Sequence, residues 1–175
     1  MAHQITSIIK FTHMQKFHFS YTTTKVTELP IQIQTLIAAA QEATYMSYAP
    51  YSHFRVGAAL LLDNGKIFTG ANHENASFPA GICAERALLG TLDMAAPEKV
   101  TAIAVSYTSN GDHATPLSPC GICRQSILEV QLHQASPIAV YMCSPAGHVI
   151  IVEDATYLLP FHFSRKNLDM SEDKA

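Results

Sequence analysis

Apolar positions along the chain recur with two different periods. Between Pro30 and the break at Ala49-Pro50, residues Ile33, Leu36, Ile37, Ala40 and Ala43 return every three or four positions. That spacing puts them on one face of a helix, and Pro30 suits its first turn. Phe54–Leu62 is a short apolar run that reads as a strand. Asp63-Asn64-Gly65 supplies a turn, and Lys66–Ala71 returns as a second strand. Asn72–Gly81 is irregular, with Pro79 and Gly81 as breakers. A helix is expected over Cys83–Met94, ended before Pro97. Thr101–Tyr107 alternates like a buried strand, and Ser109–Pro119 is a polar loop containing Asn110-Gly111 and two prolines. Ser118-Pro119 opens a helix over Cys120–Leu132. Strands follow at Ile138–Met142 and His148–Val152, around a Ser144-Pro145-Ala146-Gly147 turn, then a short helix at Asp154–Leu159.

Strands and helices therefore interleave without an internal repeat. The expected fold class is α/β: a three-layer α/β/α sandwich around a mixed five-stranded sheet. Residues 1–25 are rich in His, Thr and Gln and lack helical periodicity. They are expected to form an N-terminal arm or extended segment, dispensable to chemistry, before a domain at 26–168 and a frayed tail at 169–175.

Composition narrows the function. The chain of 175 residues is 48% hydrophobic, enough for a substantial core, but only 14% charged, with a net charge of -3. Low charge and an acidic balance count against a nucleic-acid surface and favour apolar surface covered by partner subunits. No apolar run approaches the roughly 18 residues that span a bilayer, and Met1–Lys25 has no clean apolar core or cleavage site. The expected setting is the cytoplasm. There, four cysteines are better candidates for metal or catalysis than for disulfides.

Three of those cysteines fall at expected helix starts. Cys83 opens one helix, and Cys120 and Cys123 share a face at the head of another. Helix N-termini favour thiolate over thiol. Three sulfurs leave a fourth zinc position open, the catalytic rather than the structural arrangement. Glu85, two residues past Cys83, is placed to move protons beside the metal. Arg86 is a candidate to offset thiolate charge by hydrogen bonding. Cys143 reads as an inert buried thiol, and none of the nine histidines has ligand spacing with the cysteines.

Cys83-Ala84-Glu85 followed by Pro119-Cys120-Gly121-Ile122-Cys123 resembles the zinc deaminase signature. Cys in the first position resembles the small, homotetrameric cytidine deaminases. Tyr51-Ser52-His53-Phe54, Val56-Gly57-Ala58-Ala59, Phe68-Thr69-Gly70-Ala71-Asn72, Glu74-Asn75, Cys123-Arg124-Gln125 and Leu158-Leu159-Pro160 look like that family too. The resemblance runs over roughly residues 30–168. It implies one zinc ion per subunit on Cys83, Cys120 and Cys123, with Glu85 as proton carrier. It implies that Asn72 and Glu74 bind the ribose 3'-hydroxyl, that Phe54 packs on the pyrimidine, and that the Ala84 backbone meets the base edge. It also implies that Phe163 caps a neighbouring subunit's pocket within a homotetramer with shared active sites. The implied reaction is hydrolytic deamination of cytidine and 2'-deoxycytidine, a step of pyrimidine salvage. The chain departs from the family in its arm, in Arg55 where several relatives have proline, and in Phe78 where some have tyrosine; the match after Pro160 is loose.

Three other readings stand beside this one. The first is deamination of another aminopyrimidine, such as the nucleoside antibiotic blasticidin S, against which Asn72 with Glu74 argues. The second is a non-enzymatic zinc module closed by Cys143 or a histidine. The third is polynucleotide editing, which the acidic balance disfavours.

Overall fold

The computed structural model describes residues 15–168 apart from Ser109 and Asp112, so residues 1–14 of the arm and the tail at 169–175 lie outside the described residues. Helix α1 spans Ile31–Ala43, α2 Ala84–Leu89 and α3 Gly121–Gln134. The strands are β1 (Thr22–Lys25), β2 (Arg55–Leu62), β3 (Ile67–Ala71), β4 (Val100–Thr108), β5 (Ala139–Cys143) and β6 (His148–Val152). They form one sheet in the order β1-β6-β5-β4-β2-β3. Only β4 and β5 pair in parallel; the remaining neighbours are antiparallel. The parallel pair requires a crossover, and α3 lies on the connecting stretch.

The sheet is buried on both faces. Ala58 and Leu60 of β2 and Ile103 and Val105 of β4 pack beneath α2 and α3, with Leu88 and Ile127. Their odd-even neighbours Ala59, Leu61, Ala102 and Ala104 meet Leu36, Ile37 and Ala40 of α1. This explains why β2 reads as an unbroken apolar run and not as an alternating one. The sandwich has three layers, as expected.

Two glycines set the layer spacing. A Cβ on Gly57 would stand 2.1 Å from the Ala40 carbonyl oxygen, so the bare backbone lets α1 approach β2. A Cβ on Gly70 would stand 2.8 Å from the Leu88 nitrogen and 2.9 Å from the Ala84 oxygen, so α2 rests directly on β3. The second contact fixes the height of α2, whose first residues carry the candidate chemistry.

Two expectations need correcting. The sheet has six strands, not five: Thr22–Lys25, placed in the arm, pairs in antiparallel register with Ile151–His148. Four β-branched or long residues carry little signal alone, and the open backbone groups on the outer side of β6 define this strand. Helix α2 stops at Leu89, not Met94. Gly90 follows it, and the chain turns at once, with the Ala96 N–H donating to the Asp93 carbonyl.

Candidate metal centre and pocket

Cys83 is the residue that caps α2, and Cys120 is the residue that caps α3; both have extended backbone torsions. Cys123 sits in the first turn of α3 and is buried, Cys83 is half-buried and Cys120 exposed. The three Sγ atoms converge within 4.8 Å of one another. Cys120 Sγ lies 3.4 Å from Cys123 Sγ and 3.9 Å from Cys83 Sγ. Three thiolates at about 2.3 Å around a tetrahedral ion sit roughly 3.8 Å apart. The trio is therefore spaced close to what zinc requires. Among the described residues no further His, Cys, Asp or Glu joins the group. Cys143 lies elsewhere, buried in β5, where burial pushes its thiol up to about 12. The closed four-ligand alternative lacks its fourth donor there.

A hydrogen bond from Cys123 lowers the Cys83 thiol below its ordinary range, and the same bond, with burial, raises Cys123. The Arg86 charge also favours the Cys83 thiolate. Arg86 makes no hydrogen bond to a sulfur among the described residues, contrary to expectation; it borders a groove between α2 and α3 with Gln125 and Glu129. Its influence here is through charge alone.

Glu85 is 4% exposed, in the first turn of α2 beside the sulfurs. Burial raises its carboxyl above the ordinary range, against its own backbone N–H and the Cys123 thiol, which lower it. Both Glu85 and the buried Ala84 line a cavity of about 610 Å³, together with Cys83 and Cys120.

Phe54, Asn72 and Glu74 line the same cavity. Asn72 Oδ1 accepts from the Val56 N–H at 2.8 Å and from the Ser47 hydroxyl, while Nδ2 donates to the Phe54 carbonyl at 3.0 Å. Glu74 accepts from the Tyr51 and Ser52 backbone N–H groups at 2.9 and 3.2 Å and from the Ser52 hydroxyl. Those bonds, the Ser52 hydroxyl foremost, hold its carboxyl below the ordinary range. Short bridges splice these residues to the metal side: His73 exchanges backbone hydrogen bonds with Ile82, and the Glu74 N–H donates to Tyr48.

The sequence left one support unread. Arg124 donates to the Pro119 carbonyl at 2.9 Å, the Ser118 hydroxyl at 2.8 Å and the Leu158 carbonyl at 3.1 Å. It thereby pins the loop carrying Cys120 to the C-terminal segment. Its place after Cys123 was visible in the Cys-Arg-Gln triplet, but its partners were not. Phe163 is 58% exposed and stands outside its own chain's cavity; only its carbonyl is engaged, by Gln125.

Comparison with known proteins agrees with this geometry. Residues 30–138, more than half the chain, match the family described as the cytidine and deoxycytidylate deaminase zinc-binding region. A cytidine deaminase of Sporosarcina psychrophila is 35% identical over 146 residues, covering 82% of this chain and 100% of the relative. One from Halalkalibacterium halodurans is 44% identical over 97 residues, 55% of this chain and 70% of the relative. The crystal structure of cytidine deaminase from Burkholderia pseudomallei superposes with a TM-score of 0.64 at 39% identity, covering 74% of this chain and 98% of that one. With its three sulfurs gathered at two helix starts and this similarity along most of its length, the chain belongs to the cytidine and deoxycytidylate deaminase zinc-binding family.

Proposed function

We propose that this protein hydrolyses cytidine and 2'-deoxycytidine to uridine and 2'-deoxyuridine, releasing ammonia, as a step of pyrimidine salvage in the cytoplasm. The observation that carries the reading is the convergence of Cys83, Cys120 and Cys123 beside the buried Glu85, at the floor of a cavity sized for a small ligand. Relatives named cytidine deaminase support it.

Zinc, held by the three thiolates, acts when bound as a Lewis acid that makes water nucleophilic near neutral pH. Glu85 takes the proton of the attacking water and passes it to ring N3 as water adds at C4 of the base. It then moves the proton of the new C4 hydroxyl to the exocyclic amino group, and ammonia leaves as the C4 carbonyl forms. A carboxyl raised by burial suits this work, because it holds a proton more readily than an exposed one. The Ala84 backbone meets the base edge, and the Phe54 ring packs against the pyrimidine. Asn72, its oxygen already engaged, offers an N–H to the ribose hydroxyl, while Glu74 accepts a hydrogen bond from that hydroxyl. One donor beside one acceptor matches a hydroxyl, and this favours plain nucleosides over blasticidin-like substrates.

The working form in this reading is a homotetramer with shared active sites. Phe78, Ile122, Phe161 and Phe163 are apolar side chains largely exposed in the single chain. Phe163, outside its own cavity, is free to cap a neighbour's. Sedimentation at low concentration checks this, and a fully active monomer would contradict it. The activity itself is checked by incubating the protein with cytidine, 2'-deoxycytidine and blasticidin S, following ammonia and product with and without a chelator. The reading expects chelator-sensitive release from the first two; no release from either would overturn it.

A further inference from the structure

Phe54 lines the cavity, just before β2, and has no strand partner of its own. Behind it stands Tyr107, near the end of β4 and 4% exposed. The two rings are stacked, with centroids 5.1 Å apart and planes 17° apart. Tyr107 is paired with Val56 across the sheet, and on the alternation of β4 it faces the same side as Ile103 and Val105, toward α2 and α3. Its hydroxyl donates to the Thr115 carbonyl at 2.9 Å. Thr115 lies in the loop that runs through Leu117 and Ser118, both lining the cavity, to Cys120. Tyr107 itself does not line the cavity.

We propose that Tyr107 is a positioning residue that sets the plane of the Phe54 ring against the substrate base, with its own ring held by the bond to Thr115. This rests on the deaminase reading above. Near-parallel stacking restricts Phe54 to one tilt, because rotation about χ2 would drive its edge into the Tyr107 face. A base lying on Phe54 meets a ring already held at the tilt it stacks on, so binding does not have to order that wall. The hydroxyl bond spans eight residues of chain, so it ties the ring to the loop that bears one metal ligand. One side chain thus fixes two walls of the cavity without touching the ligand.

The test uses the full-length zinc-loaded protein and four variants: Tyr107→Leu, Tyr107→Phe, Phe54→Leu and the double Leu variant. Zinc per chain and Tm are measured with KM and kcat for cytidine. The expectation is that Tyr107→Leu raises KM about 3- to 10-fold, with kcat within about twofold and zinc unchanged. Tyr107→Phe, which keeps the stacked ring but loses the Thr115 bond, raises KM by about 2- to 3-fold, less than Tyr107→Leu does. In the Phe54→Leu background, Tyr107→Leu adds nothing further, since the ring it positioned is gone. An unchanged KM in Tyr107→Leu, or full additivity in the double variant, overturns the proposal. Should Tyr107→Leu fail to fold, Tyr107→Ile, a β-branched residue suited to a central strand, takes its place with the same expectations. A parent protein without deaminase activity would sink the functional reading; an active parent with an indifferent Tyr107→Leu sinks this inference alone.

Discussion

Glu85 and Glu74 are carboxylates lining one cavity, pushed in opposite directions by their surroundings. Burial raises Glu85, so removing its proton-carrying oxygen should cost rate and leave the metal in place. Glu85→Gln is expected to lose kcat by about 100- to 10,000-fold while retaining one zinc per chain. Metal analysis alongside steady-state kinetics checks this, and full activity with full zinc would remove Glu85 from the reaction. Glu74 is lowered by the Ser52 hydroxyl and two backbone N–H groups. Its ionised form is thus favoured in the folded protein: the contribution is present above the ordinary carboxylate pKa and is lost only as pH falls through the lower folded value. KM for cytidine should hold steady down to about pH 5 as far as Glu74 is concerned. Glu74→Gln should raise KM about tenfold at neutral pH. A KM that climbs already between about pH 7 and pH 5 in the parent, but not in Glu74→Gln, would contradict this assignment. The cysteines and Glu85 were legible in the sequence because their spacing is local. Ser47, Ser52, Tyr107 and Arg124 were not read, because each works through a partner brought near only by folding.

Helix α2 carries Cys83 at its cap and Glu85 in its first turn, and its height over the sheet is set by Gly70. A methyl at position 70 meets helix backbone, which cannot rotate away as a side chain can. Gly70→Ala should therefore destabilise the fold by about 1–3 kcal/mol and lift Cys83 from its partners. Faster zinc loss to a chelator, with a lower Tm, is the expected result; unchanged zinc retention would show that α2 is not seated on β3 in this way. Helix α1, β2 and α3 were readable from periodicity because each buries a long apolar stripe. The early end of α2 was harder. Thr91 returns its hydroxyl to the Leu88 carbonyl, and Asp93 accepts from the Ala95 N–H, so local polar groups replace the helix where apolar spacing continued to Met94. Strand β1 was missed for the opposite reason, since its identity comes from the exposed side of β6 and not from its own residues.

For the molecule as a whole, the three layers exist to bring two helix starts together over one edge of a mixed sheet. Gln131 locks that assembly from beneath: its buried amide oxygen accepts from the Ile138 and Ala155 N–H groups while its nitrogen donates to Asp154. That tie joins α3 to the start of β5 and to the turn after β6, so the sulfur pair on α3 is held by the whole C-terminal half. No described helix is long and apolar enough to cross a membrane. The architecture and the metal site were the most legible features, because α/β alternation and cysteine spacing both survive in one dimension; the rest of the cavity and any contact between subunits are products of three. The account stands on a metal held by three sulfurs with one coordination position left for water. X-ray absorption at the zinc edge of the purified protein measures this most directly. The account predicts three sulfur neighbours at about 2.3 Å and one oxygen; a fourth sulfur or an imidazole nitrogen in that shell would contradict it.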